Sequence, residues 1–244
     1  MKDITKRGAP KTTLRTPANT SADIANFLAR AAETAPPTGE GGLLVFALDA
    51  TMSRQPTWDA ACSLQAEMFD EVGRAGGGQL EVQLVYFRSM SECRASRWAR
   101  DTRTLADMMS GIQCRGGLTQ IGKVLSHVRK EGARRGETGR RISALVYVGD
   151  AMEESVDALA HKAGELGLLG VPAFMFQEGR DATAENAFRE IARLSRGAYM
   201  RFDAGAAAEL GKLLRAVARY AAGGRKALAA SGEGTDRKLL EQLK

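Results

Sequence analysis

Histidine and cysteine are scarce in this chain, with two and three copies respectively in 244 residues. Cys62, Cys93 and Cys114 lie far apart, form no metal-ligand pair pattern and make no even disulfide set. A cysteine-held metal and a disulfide framework are therefore not expected, and a reducing cytoplasm is the simplest setting. Long apolar runs are also missing: none approaches the roughly 18 residues of a membrane span, and MKDITKRGAPK lacks the apolar stretch of a signal peptide. Aromatics are only 6% of the chain and show no pattern for stacking bases. Three catalytic signatures are absent: no G-x-S-x-G elbow, no P-loop, and no G-x-G-x-x-G after a strand. A hydrolase working through an aspartyl phosphate wants a second acid two residues after its nucleophile, but Thr51 follows Asp49 at that distance. A receiver domain wants paired acids on an earlier strand and a lysine at a late strand end, and neither occurs. An enzyme is not the expected reading.

What the chain does have is Leu43 to Ser53, LLVFALDATMS, an apolar run that stops at an acid followed by hydroxyls. Leu43 to Leu48 has the length and bulk of a strand buried on both faces, as at the centre of a parallel sheet. Asp49, Thr51 and Ser53 alternate, and alternate side chains of extended chain point the same way. They would stand above the strand's carboxyl end, where open α/β sheets place their ligands. Ile142 to Val148 is a second run of this kind, and it too ends in an acid, Asp150.

Between and beyond these runs, strand and helix patterns alternate. Strands are expected at Leu80 to Phe87, Val171 to Phe176 and Tyr199 to Phe202, with a polar edge strand within Glu92 to Ala99. Helices are expected around Trp58 to Val72, at Asp101 to Ile112, after Thr119, at Glu154 to Leu168, at Ala184 to Leu194 closed by Gly197, and at Ala206 to Tyr220. The β-α alternation predicts an α/β, doubly wound, mostly parallel sheet with helices on both faces and one short antiparallel edge strand. The expected organisation is a basic arm with a short helix (Ser21 to Ala31) and linker over 1–42, a domain over 43–222, and a polar tail over 223–244. The net charge of +6, mostly from arginine, permits nucleic-acid or acidic partners and demands neither.

Asp49, Thr51, Ser53, Thr119 and Asp150 offer only oxygen. Hard ligands of this kind select Mg²⁺, Mn²⁺ or Ca²⁺ over zinc. Two carboxylates balance a divalent ion, and the remaining positions leave room for an outside ligand. His127 and His161 fall in expected helices without a paired ligand and read as structural. Cys114 reads as a small loop residue rather than a nucleophile, and Met108 and Met109 as core filling. Glu153 and Glu154 favour a helix N-terminus over a metal rim. The arginines at 88, 94, 97, 100, 103 and 115 read as a solvated face by default, or as a basic rim that attracts an acidic partner.

D-x-T-x-S after a buried strand, a threonine after a glycine pair and an aspartate ending a later strand together resemble the metal-ion-dependent adhesion site of von Willebrand factor type A domains. The resemblance runs from about Leu43 to Tyr220. It implies Thr51, Ser53 and Thr119 as direct metal ligands, with Asp49 and Asp150 binding directly or through water. The remaining position is typically filled by a carboxylate from a protein partner. The commonest motif has serine at the position of Thr51, and glycine often follows the last aspartate, whereas here Gly149 precedes Asp150 and Ala151 follows it. Intracellular relatives often serve as adaptors in assemblies, some with AAA+ ATPases. The resemblance thus implies a cytoplasmic, bacterial, Mg²⁺-dependent protein-binding adaptor with no membrane contact. The alternative is nucleic-acid binding through the basic arm and arginine-rich segments, the metal being structural.

Overall fold

The computed structural model describes residues 42–51, 80–136, 140–202, 215–218 and 221. The arm and its short helix, Ser53, the helix around Trp58 to Val72, most of the final helix and the tail lie outside these residues.

Six strands form one sheet: β1 (Leu43–Asp49), β2 (Glu81–Arg88), β3 (Glu92–Ala95), β4 (Ile142–Gly149), β5 (Ala173–Glu178) and β6 (Ala198–Phe202). Their spatial order is β3-β2-β1-β4-β5-β6. All neighbours run parallel except β3, which pairs antiparallel with β2 at the edge. This is the mostly parallel sheet with one antiparallel edge strand that the β-α alternation predicts. The described helices are α1 (Thr102–Ser110), α2 (Ile121–Gly136), α3 (Val156–Leu168) and α4 (Ala182–Leu194), with further helical residues at 215–218 and 221.

β1 sits in the middle and every residue of it is buried. Its even residues Leu44, Phe46 and Leu48 pack with Leu105 and Met109 of α1 and with Val217. Its odd residues Leu43, Val45 and Ala47 pack with Val124 of α2, Leu159 of α3 and Phe188 of α4. Period-2 alternation thus feeds two separate cores, which is why the run reads as continuously apolar.

Several element ends differ from expectation, each for a local reason. α1 begins after Asp101, whose carboxylate accepts the Thr104 N–H at 2.7 Å. β3 stops at Ala95 because the Ser96 hydroxyl takes the Leu84 N–H at 3.0 Å in place of a ladder carbonyl. The two chains meet again at a single Val82–Ala99 bridge. β5 runs on through Gln177, fully buried, whose amide donates to the Asp181 carbonyl and accepts from the Tyr199 hydroxyl, both at 2.7 Å. A satisfied buried amide hid that strand end in the sequence. α4 starts at Ala182, capped by Asp181, and its exit is turned by Arg196 in the left-handed region (φ 60°) rather than by Gly197.

Candidate metal centre

β1 and β4 are neighbours in parallel register, Leu48 facing Val148. Asp49 ends β1, and Asp150 follows the last residue of β4. Adjacent strands lie about 4.8 Å apart, so the two acids stand side by side at the carboxyl ends of the two central strands. Asp49 is fully buried, and its Oδ1 accepts the Thr51 N–H at 2.8 Å. That turn carries Thr51 beyond the strand, where it bridges to Arg115 while the Arg115 N–H donates to the Ala50 carbonyl at 3.0 Å. The loop leading to Thr119 is thereby laid along the end of β1. Gly117 allows this: a Cβ there would stand 2.3 Å from the Ser89 carbonyl oxygen.

Thr119 is buried and held by Glu153. Its N–H and hydroxyl both donate to Glu153 Oε2, at 2.9 and 2.7 Å, and its Oγ1 accepts the Glu153 N–H at 3.2 Å. A hydroxyl has two lone pairs, so one remains on Oγ1 for a cation. Asp150 Oδ1 is buried and has no hydrogen-bond partner among the described residues. An oxygen shielded from water in this way suits a cation, since leaving a buried acceptor unmatched is costly. Gly149 before it makes room for the buried Tyr147 ring, whose hydroxyl would lie 2.7 Å from an added Cβ. The donor set is oxygen throughout, and among the described residues no group of three or more His, Cys, Asp or Glu is placed to hold a metal. A site here depends on hydroxyls as much as on carboxylates. Asp49, Thr51 and Asp150 lie at the carboxyl ends of β1 and β4, and Thr119 is tied to Glu153 three residues after Asp150; Ser53 lies outside the described residues.

Glu154 acts on a helix N-terminus as expected, but on α2 rather than on its own helix. Its two carboxylate oxygens accept the N–H groups of Ile121, at 2.5 Å, and Gly122, at 3.0 Å. The first turn of α2 contains no acid of its own. Burial pushes the Glu154 carboxyl above its ordinary range, against the pull of those two N–H groups. Gln120 adds a second tie, its amide donating to the carbonyls of Arg88, Ser89 and Glu92 at 3.2–3.3 Å. Sequence reading passed over Gln120. Its only signal was a polar residue between Thr119 and the apolar face of α2.

Three of the six arginines meet carboxylates, and not all in one place. Arg88 pairs with Glu92 at 2.9 Å and donates to the Gln113 carbonyl, and Arg94 also meets Glu92. Arg100 lies at the far end of β2, bound to Glu81 together with Arg140. His127 is half-buried with Nε2 2.8 Å from Gln83 Oε1, burial lowers its pKa, and His161 is exposed; neither is near a metal ligand set. Cys114 and Met109 belong to the core, and Met108 packs against it. Of the four exposed large apolar residues among those described, Met90, Leu118, Leu168 and Leu169, the first two, at 72% and 47% exposure, bear on this site. These two are each next in chain to one of the touching pair Ser89 and Gly117, so both stand on the rim of this end of the sheet.

Comparison with solved structures decides the fold. The VWA domain of SpRpn10 superposes with a TM-score of 0.56 at 13% identity, over 73% of this chain and 94% of that one. The fold is that of a von Willebrand factor type A domain. BatB from Bacteroides thetaiotaomicron gives a TM-score of 0.51 at 18% identity, over 73% of this chain and all of that one. Proximal thread matrix protein 1 from the mussel byssus, whose adhesion-site motif holds zinc, gives 0.57 at 18% identity over 75% and 49% of the two chains. At such identities the likeness is one of fold. No protein-family model matches the sequence. No curated protein matches it either. Among the described residues, no helix of this A-domain fold is long and apolar enough to cross a membrane.

Proposed function

We propose that the chain is a metal-dependent protein-interaction module, an adaptor and not an enzyme. Asp49, Thr51, Ser53, Thr119 and Asp150 would hold Mg²⁺, with Mn²⁺ or Ca²⁺ as alternatives, and a partner's carboxylate would complete the coordination. The observation that carries this reading is the pair of acids ending the two central neighbouring strands, one of them presenting a buried oxygen with no hydrogen-bond partner among the described residues. The cation supplies a Lewis-acidic position for an anionic oxygen. The chain's own contribution is orientation: Glu153 fixes the Thr119 hydroxyl, Glu154 fixes the start of α2, and Met90 and Leu118 offer apolar contact around that end of the sheet. The mussel-protein adhesion site with zinc supports a divalent ion in this fold. A bacterial, cytoplasmic setting and a partner within an AAA+ ATPase assembly complete the proposal. Nucleic-acid binding through the arginines is less favoured, because Arg88, Arg94 and Arg100 already meet carboxylates.

Acetate serves as a stand-in for the partner's carboxylate. Water-proton relaxation of the Mn²⁺-loaded protein should fall as acetate replaces a coordinated water. A signal indifferent to acetate, or identical to that of free Mn²⁺, would refute the reading.

A further inference from the structure

An open groove of about 470 Å³ lies between the edge strand β3 and α2. Its strand side is Cys93, Arg94 and Ala95, and its helix side carries Lys123, Lys130 and, from α3, Lys162. The acid in the lining, Glu154, has both oxygens committed to the N–H groups of α2. Lys123 Nζ donates to the Ser91 carbonyl and Gln120 Oε1 at 3.1 and 2.7 Å, and Lys162 Nζ donates to Ser126 Oγ at 2.5 Å while its charge also acts on Glu154. None of the three forms an ion pair among the described residues. Ten arginines among the described residues do meet carboxylates within ion-pair distance, as with Arg88 and Glu92 or Arg134 and Glu131. With three lysines and Arg94 against Glu154 alone, the lining carries an excess of positive charge.

Its other wall is a sheet edge on which, among the described residues, no further strand pairs. β3 is the last strand in the sheet order, and Arg94 and Ala95 are exposed. The Ser96 N–H points inward to the Leu84 carbonyl. By antiparallel alternation, the backbone groups of Ala95 and Cys93 then point outward, available to an added strand. No aromatic residue lines the groove, so it lacks the stacking platform single-stranded nucleic acid uses.

We propose that this groove seats an acidic, extended segment of a protein partner, laid along β3 with its carboxylates against Lys123, Lys130 and Lys162. The proposal rests on the chain being a protein-interaction module and does not depend on the metal.

The test uses the full chain and a fluorescein-labelled decapeptide of alternating Glu and Val, read by anisotropy at low salt. Saturable binding is expected. Lys123→Gln with Lys130→Gln, both exposed positions, should weaken it about tenfold, two surface charge contacts being lost. Arg189→Gln with Arg193→Gln on α4 removes the same charge far from the groove and should leave binding unchanged, as should EDTA and Asp49→Asn. Ala95→Pro removes the outward N–H and should also weaken binding. The proposal is overturned by absence of binding, by equal weakening in both double variants, or by undiminished binding in Ala95→Pro. It is equally overturned by loss of binding in Asp49→Asn, or by an oligothymidylate that binds more tightly than the peptide. A failed metal reading would leave the peptide result intact, so the two proposals fail separately.

Discussion

Removing the Glu154 carboxylate should loosen the start of α2 and, with it, the placement of Thr119. In Glu154→Ala the N–H groups of Ile121 and Gly122 lose the acceptors they have in Glu154. Each lost bond costs about 1 kcal/mol net, and losing a helix N-terminal acceptor costs about 0.5–2 kcal/mol, so the two together should cost about 2 kcal/mol. For a domain of this size that lowers Tm by about 4–8 °C. Glu154→Gln keeps one acceptor oxygen and sheds the desolvation penalty of the buried charge, and should lose less than half as much. Thermal unfolding followed by circular dichroism at pH 7 measures all three proteins. An alanine variant melting within about 1 °C of the parent would refute the argument that α2 takes its N-terminal acceptor from this loop. A glutamine variant as unstable as the alanine one would show that net charge, not acceptor placement, is what matters.

Three further outcomes are expected. Burial pushes the Glu131 carboxyl up, but hydrogen bonds from Arg134, Arg135 and Trp98 outweigh it and hold its pKa at about 2. A folded-state pKa below the unfolded value gives stability that is present above the unfolded value and lost as pH falls from about 4.5 toward 2. Arg134 is largely exposed, so the effect should be about 1 kcal/mol, and Glu131→Gln should flatten that acid limb in urea titrations. Gly117→Ala puts a Cβ 2.3 Å from the Ser89 carbonyl oxygen and should cost about 2 kcal/mol by calorimetric melting. Glu153→Ala frees the Thr119 hydroxyl and should weaken Mg²⁺ binding by at least about tenfold, the usual effect of losing a residue that orients a ligand. Unaltered Mg²⁺ affinity would count against that role.

The sheet was legible because its central strands announce themselves. A strand buried on both faces must be almost wholly apolar: Leu43 to Leu48 is apolar throughout, and Ile142 to Val148 is apolar but for Ser143, buried with its hydroxyl accepting the Leu43 N–H at 3.3 Å; the acid ending each marks the end where chain leaves the sheet. The parallel character of the sheet followed from β-α alternation, and the edge place of β3 from its charged character; the order of the strands is given by the structure. Element ends were less legible, because side chains decide them locally: Ser96 interrupts β3, Gln177 prolongs β5 as a buried but satisfied amide, and Asp101 and Asp181 cap helices from outside. The supports of the candidate centre were hidden for a different reason. Glu153 and Glu154 act on Thr119 and α2 more than thirty positions away in sequence, and no periodicity within one element records such a contact. The pairing of Arg88 and Arg94 with Glu92 and of Arg100 with Glu81 was hidden in the same way, since those residues look free in a linear reading.

The most direct measurement is calorimetric titration of Mg²⁺ and of Mn²⁺ into the EDTA-stripped chain, with Asp49→Asn alongside. Asparagine can still accept the Thr51 N–H, so the turn is kept while the charge is removed. Saturable one-to-one binding in the parent, lost in the variant while its Tm is unchanged, is the predicted result. Equal binding in both proteins, or none in either, would contradict the metal centre.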